Sequence, residues 1–361
     1  MMRALAVLAL VATAAALVAP RSVLVVQNKG GGHGELGFHL AKQMRAKGLE
    51  VTILQDECKT TAAPFSSYPE LEAAGVKVVY TKLTPDLDVA SLVPPHDVVL
   101  DNNAKDAPTV APLVNAAEAW GSSQFLYVSS AGMYKGVEDT KDAGVPVESQ
   151  MGMIETDPVK GDNGCRMTEL YLQSRGAPLT SFRPQYIYGS HSNKRLLDFV
   201  FDRVTRGLPV PLPYHGEQLA PLTNAADVAS MMVAAVGNPA AVGQVYNCGS
   251  PRVVTYRGLV RLAAEAARVE ARTVLYDPRE LKAPKAWPFR PLSFFVCPSK
   301  AVAELAWQPQ HGIAEDLGEW YRQYLALGLD RRVMSGEELA ADKEIVAAVA
   351  PEMLGAYAAV A

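Results

Sequence analysis

The sequence predicts an α/β protein: a doubly wound parallel sheet that carries a smaller C-terminal lobe. Three observations predict it. A glycine-rich turn, Asn28 to Gly37, separates an apolar run, Ser22 to Gln27, from a stretch beginning at Phe38 that reads as a helix. Strand, glycine turn and helix together make such a turn informative. Apolar strand-like runs then alternate with helical stretches as far as Arg183, the pattern of a sheet covered on both faces. Finally, the polar residues at the ends of those runs fall on one edge, where sheets of this kind bind ligands.

The glycine turn satisfies two spacings. Gly32, Gly34 and Gly37 match GxGxxG, and Gly31, Gly34 and Gly37 match GxxGxxG. In both, the first glycines permit a tight turn and let a diphosphate approach the backbone. The last lets helix and strand pack closely, and the helix N-terminus favours the phosphate charge. Asp56 lies 19 residues past Gly37, at the end of the strand-like run Glu50 to Leu54, where an acid binds an adenosine ribose. This is a Rossmann-type arrangement. The expected cofactor set for NAD(P) is Gly31, Gly32, His33, Gly34, Gly37, Asp56, Ser129 and Ser130. Asp56 weakly favours NAD, with Lys59 close by.

Further strands are expected at Val76–Tyr80, His96–Asp101, Gln124–Ser130 and Thr180–Arg183. A helix is expected over Ala107–Trp120, with Pro108 in its first turn. After Arg183-Pro-Gln-Tyr-Ile-Tyr-Gly, proline-rich pieces (Leu208 to Pro213) and helices take over, with one more strand at Gln244–Cys248. Ala301 to Leu327 reads as largely helical. The division is therefore a leader at 1–20, a nucleotide-binding core at 21–190 with a further strand near 244–249, a lobe at 191–328, and a tail or loosely docked helix at 329–361.

The 361 residues are 49% hydrophobic and 20% charged, the composition of a globular chain with ample core. The net charge of −4 does not mark a nucleic-acid binder. It hides an asymmetry: residues 191–300 carry 14 Lys/Arg against 8 Asp/Glu, and residues 301–361 carry 4 against 10. Cys58, Cys165, Cys248 and Cys297 show no zinc spacing and read as isolated thiols. Arg3, the apolar run Ala4–Val18 and the small residues Ala14–Ala16 read as a cleavable signal leader. The run is short for a membrane span, so no stable span is expected once it is removed.

Several strings resemble the extended short-chain dehydrogenase/reductases: the glycine loop, Val128-Ser-Ser-Ala-Gly-Met-Tyr, Arg183-Pro-Gln-Tyr-Ile-Tyr-Gly, Leu222-Thr-Asn-Ala-Ala-Asp-Val-Ala and Val245-Tyr-Asn-Cys-Gly. The match runs from about Arg21 to Leu327. More narrowly, Gly31-Gly-His, Val98-Val-Leu-Asp-Asn-Asn-Ala-Lys-Asp, Ser181-Phe-Arg-Pro-Gln-Tyr, Phe201-Asp-Arg and Tyr276-Asp-Pro-Arg resemble an atypical branch, the chloroplast stem-loop-binding proteins. The resemblance implies a plastid protein that binds RNA stem-loops and associates with ribosomal RNA, transcripts and ribosomal particles. It implies endoribonuclease activity assisted by a divalent metal such as Mg2+, a role in ribosomal and messenger RNA processing or stability, and a homo-oligomer or a hetero-oligomer with a paralogue. Leu17-Val-Ala-Pro is similar to the junction of plastid-targeting leaders in algae with secondary plastids; the secretory pathway is the alternative destination.

Redox chemistry on this fold needs a Tyr-x-x-x-Lys pair, whose ammonium sits one helical turn from the phenol and lowers its pKa from ~10 toward neutrality. None of the 14 tyrosines has Lys four residues on. Counting back from Arg183-Pro184, the pair falls near Gly161 and Cys165, which cannot supply it. Tyr171 and Arg175 imitate the spacing ten residues late.

For phosphodiester cleavage, carboxylates with oxygen-bound metal are the expected means. Asp101, Asn102, Asn103 and Asp106 form the best oxygen cluster, with Asp101 and Asp106 as metal ligands; its bland alternative is a strand-capping turn. His33, in the glycine turn, is a second candidate base or a loop imidazole bonded to backbone. Lys194, Arg195, Arg203 and Arg206 are the expected RNA contacts, with Arg252, Arg257 and Arg261 as a second cluster. Tyr186, Tyr188, Phe199 and Phe201 lie nearby and read as core more readily than as base-stacking rings. The alternative function is an NAD(P)-dependent epimerase, dehydratase or reductase of a small molecule.

Overall fold

A computed structural model describes residues 19–28, 34–57, 64–135, 152–192, 196–281, 283 and 286–359. Residues 1–18 of the leader expected at 1–20, together with Gly31, Gly32, His33, Cys58, Lys59, Lys194 and Arg195, lie outside these residues.

Seven parallel strands form the main sheet: β1 (Ser22–Gln27), β2 (Glu50–Asp56), β3 (Lys77–Thr81), β4 (Val98–Asn102), β5 (Gln124–Val128), β6 (Leu179–Pro184) and, after three strands of the lobe, β10 (Val245–Cys248). The lobe strands are β7 (Tyr186–Tyr188), β8 (Val210–Pro213) and β9 (Leu222–Asn224), followed later by β11 (Thr273–Tyr276). The order across the main sheet is β10-β6-β5-β4-β1-β2-β3. β1 pairs with β2 on one side (Val25 with Ile53) and with β4 on the other (Val25 with Leu100). The winding reverses between them, and a crevice opens beyond their carboxyl ends. The doubly wound sheet expected from the sequence is the fold observed.

The helices are α1 (Gly34–Ala46), α2 (Tyr68–Ala73), α3 (Val89–Leu92), α4 (Ala107–Trp120), α5 (Gly164–Ser174), α6 (Asp198–Val204), α7 (Ala225–Ala235), α8 (Tyr256–Ala267), α9 (Ser299–Leu305), α10 (Ile313–Ala326) and α11 (Gly336–Val349). One face of the sheet buries Val23, Val25, Ile53 and Leu100 with Phe38, Leu40 and Met44 of α1 and Val228 and Met232 of α7. The other buries Leu24, Val26, Val99 and Phe125 with Val110, Leu113 and Val114 of α4 and Leu172 of α5. Side chains alternate along a strand, so strands covered on both faces must be largely apolar throughout, as the bodies of β1 and β4 are. Local caps set the helix starts. Asp106 accepts from Thr109 N at α4, Asn163 from Cys165 N and Arg166 N at α5, and Asn224 from Ala226 N at α7. Each satisfies a donor that the first turn leaves open.

The lobe has its own core, in which Phe201, Leu212, Tyr256, Leu259, Trp287, Phe289, Leu317, Trp320 and Tyr324 pack together. Tyr186, Tyr188, Phe199 and Phe201 belong to this core or pack against it. Residues 329–359, expected as a tail or a loosely docked helix, pack on the lobe. Leu339, Ile345, Val346 and Tyr357 are buried against Leu208, Val274 and Tyr276. Ser335 and Glu338 form a capping box at the start of α11, and the Tyr357 hydroxyl donates to Pro209 O at 3.1 Å. Among the described residues, no helix is long and apolar enough to cross a membrane.

Candidate functional site

The carboxyl ends of β1, β2 and β4 are joined by carboxamides. Asn102 Nδ2 donates to Gln27 Oε1 at 2.7 Å, Gln55 Nε2 to Asn28 O at 2.7 Å, and the Tyr68 hydroxyl to Gln55 Oε1 at 2.7 Å. Gln27 also explains Gly37. A Cβ on Gly37 would lie 2.1 Å from Gln27 Oε1, so the bare Cα is what lets α1 lie this close to β1. The sequence marked Gly37 and missed Gln27; a polar residue ending an otherwise apolar strand was its signal. Asp56 is almost fully buried, and its Oδ1 accepts from Leu83 N at 3.0 Å.

The oxygen cluster is not laid out as expected. Asp101 has no exposed surface. It accepts from Asn103 N at 2.8 Å and Ala104 N at 3.2 Å, closing its own turn. Burial pushes its carboxyl up to about 7, against the opposing pull of those two N–H groups. Asn102 is buried on Gln27, and Asn103 is half-buried. Asp106 caps α4, its Oδ1 taking both Thr109 N (2.9 Å) and Thr109 Oγ1 (2.5 Å). Among the described residues no three His, Cys, Asp or Glu side chains are gathered to hold a metal. Asp101 and Asp106 therefore do not fit Mg2+: one is sealed beneath its own turn, and the other is committed to a helix cap. Asp101 closes the turn that follows β4, and Asp106 starts α4.

Ser129 and Ser130 part company. Ser130 Oγ accepts from Gly132 N at 3.0 Å, capping the turn Ala131–Met133. Ser129 Oγ donates to Glu169 Oε1 at 2.8 Å inside a buried network. Arg183 grips the same carboxylate through Nε (3.0 Å) and Nη2 (2.8 Å), and its Nη1 donates to the Tyr134 hydroxyl at 3.0 Å. That hydroxyl donates to Asn247 Oδ1 at 2.8 Å. The network ties β5, α5, β6 and β10 together across the sheet. Sequence reasoning used Arg183 only as a landmark and did not single out Glu169, whose partner lies on another element.

Gly161 is exposed and Cys165 is half-buried, with burial pushing the thiol above its usual range. No proton relay occupies their place. Phenol–cation pairs exist elsewhere. Tyr134–Arg183 is sealed from solvent, and Tyr171 accepts from Arg175 Nη1 at 2.8 Å on the α4–α5 surface, where Arg175 also meets Glu118.

Two of the expected RNA contacts are corrected. Arg203 pairs with Asp342, Nε to Oδ2 at 2.7 Å, and both are buried. Arg206 reaches inward to Leu329 O (2.8 Å), Arg332 O (2.7 Å) and the Tyr324 hydroxyl (3.0 Å). Their helical spacing put them on one face, but that face is covered by residues 329–349. Arg252, Arg257 and Arg261 are exposed and paired with Glu315, Glu217 and Glu265.

The glycine turn, the seven-stranded sheet and the lobe define a class. The chain belongs to the NAD dependent epimerase/dehydratase family, whose model matches residues 30–249. The chain is also 30% identical over 316 residues to the chloroplast stem-loop binding protein of 41 kDa b of Arabidopsis thaliana, covering 84% of this chain and 80% of that one. Among solved structures, UDP-glucose 4-epimerase of Thermus thermophilus, in complex with NAD, superposes with a TM-score of 0.59 at 20% identity, covering 83% of this chain and 99% of that one. UDP-glucuronic acid 4-epimerase of Bacillus cereus, with UDP-glucuronic acid and NAD, gives 0.63 at 15% identity, covering 84% and 99%. At these identities the solved structures establish the fold alone.

Proposed function

We propose that this chain is a plastid RNA-binding protein that grips stem-loops of ribosomal RNA and transcripts on a nucleotide-binding fold whose proton relay has been lost. One observation carries the reading. The relative with a stem-loop-binding name matches most of the chain, while none of the 14 tyrosines has, four residues on, the Lys that redox chemistry on this fold needs. A missing proton donor costs ~10²–10⁴ in rate, so the fold without it suits binding better than turnover. NAD(P) is retained in the proposal as a ligand. Gly34 and Gly37 at the head of α1 would take its diphosphate and Asp56 a ribose, and the packing of Gly37 on Gln27 supports that cradle. Endoribonuclease activity would accompany binding, without Mg2+ held by Asp101 and Asp106, which do not form a site for it.

The test is a single gel with the purified chain, a labelled stem-loop RNA and a salt titration, with and without Mg2+. Retention that falls with salt is the expected result. No retention at low salt overturns the reading, and binding without cleavage in any divalent ion removes the nuclease part alone. The family match favours a second reading, an NAD(P)-dependent enzyme of a small molecule. A nicotinamide cofactor released on denaturation, with no RNA retained, decides for it.

A further inference from the structure

Among the described residues, four that are not glycine have positive φ: His191, Tyr214, Arg268 and Ala306. Arg268 and Ala306 close α8 and α9 as left-handed caps, an ordinary use of that conformation. The His191 ring stacks on Phe38 at 4.0 Å and bonds Ser67 Oγ at 2.9 Å, so its conformation serves internal packing. Tyr214 has no such account. It occupies the first central position of the turn Pro213–Gly216, closed by Gly216 N to Pro213 O at 3.0 Å, with φ of 52°. A turn with φ positive at that position favours glycine, and a bulky residue there is strained. Its ring is only half-buried; it joins no described core cluster and stacks on no other described aromatic side chain.

What the ring does meet is Arg279, whose guanidinium carbon lies 5.4 Å from the ring centre. Asp277 holds that guanidinium in place, with Nε 3.0 Å from Oδ1 and Nη2 2.6 Å from Oδ2. Both come from Tyr276-Asp-Pro-Arg279, a string that the nucleotide fold leaves without a role. Arg279 remains 59% exposed. Beside it, Arg257 Nη2 donates to His215 O at 2.7 Å and Arg257 Nε to Glu217 at 3.0 Å, and His215 is exposed. Strain kept at a partly exposed aromatic residue, next to an oriented guanidinium plane, points to a ligand. Unpaired RNA bases stack on aromatic rings and on guanidinium planes.

We propose that the Tyr214–Arg279 pair is the seat for an unpaired base of an RNA loop, with Arg257 and His215 placed for the adjoining phosphates. The proposal rests on the RNA-binding reading above. Glu217 does not oppose it, because the exposed Arg257–Glu217 pair contributes little and can exchange for phosphate, while Asp277 stays on Arg279 and keeps its plane oriented.

The test uses the full chain, a stem-loop RNA with 2-aminopurine in the loop, and the same stem as a plain duplex. The parent is expected to bind the stem-loop and quench the probe. Tyr214→Gly is expected to weaken stem-loop binding about 5- to 150-fold, the cost of one lost stack, while duplex binding stays within about two-fold. Its thermal midpoint is expected at or above the parent's, because glycine relieves the turn; a merely structural tyrosine would lower it. Arg279→Gln is expected to act in the same direction and decides the matter if Tyr214→Gly folds poorly. If the parent binds and both variants hold the loop as tightly, the seat is refuted and the RNA reading stands. If stem-loop and duplex affinities fall together, these residues contact phosphate and the base seat is refuted. If the parent binds no RNA, both readings fall.

Discussion

Arg203 and Asp342 lie 139 residues apart in the chain and meet side chain to side chain, Arg203 Nε donating to Oδ2 at 2.7 Å and Nη2 to Oδ1 at 3.1 Å, both nearly sealed from solvent. A bidentate pair fixes both planes and leaves little freedom in how α11 seats on α6. Breaking one side strands the other charge. Asp342→Ala is expected to destabilise the chain by about 3–5 kcal/mol, and the double variant Arg203→Met/Asp342→Leu to recover most of that. Urea denaturation of the three proteins measures both effects.

Gly37→Ala is expected to cost about 1–3 kcal/mol. The added methyl meets the Gln27 carboxamide, which cannot swing away without releasing Asn102. Gln27→Ala in the same chain clears the space, so the second substitution is expected to restore part of the thermal midpoint that the first removes.

His39 supplies a pH dependence of stability. Burial holds its imidazole down to about 4, against the pull of Ser190 O, while His191, Lys42 and His311 oppose its charge. The unfolded chain therefore binds the proton that the folded chain refuses. The stabilisation is complete above the ordinary histidine value of ~6.5 and is lost as the pH falls from there toward 4. His39→Phe is expected to flatten that limb of the midpoint-against-pH curve; an unchanged slope would refute the assignment.

Asp101 acts in the opposite sense. Its carboxyl is raised to about 7 in the fold, so the folded chain keeps a proton that the unfolded one gives up. Its contribution is present below ~3.9 and lost as the pH rises through 7. Asp101→Asn keeps an oxygen for Asn103 N and Ala104 N and cannot ionise. It is expected to be at least as stable as the parent above pH 7, and the titration is to be followed by calorimetry.

How much of this was legible in the sequence varied with the range of the interaction. The sheet was readable because buried parallel strands must be largely apolar, and because Gly37 stands where a helix has to touch a strand. Asp101 misled, since a polar residue at a strand end looks accessible until the turn that folds over it is seen. Arg203 and Arg206 misled for another reason. Helical spacing shows which residues share a face and is silent on what covers it, and here the cover is residues 329–349, with α11 over Arg203 and the turn before it over Arg206. That helix reads as a tail because its buried face is short and carries Asp342, a residue that looks solvated until Arg203 is placed beside it. Tyr214 escaped notice altogether, since only a backbone angle distinguishes it.

The seventh strand carries a lesson for any dissection of the chain. β10 seals the flank of β6, yet it is supplied only after β7, β8 and β9 of the smaller lobe have been laid down. A fragment stopping near residue 190 would expose β6, a strand otherwise buried along its whole length, as a ribbon of open amide groups to any neighbour able to pair with it. Such a fragment is an invitation to aggregate, and the two halves cannot be inherited, shuffled or engineered as separate modules.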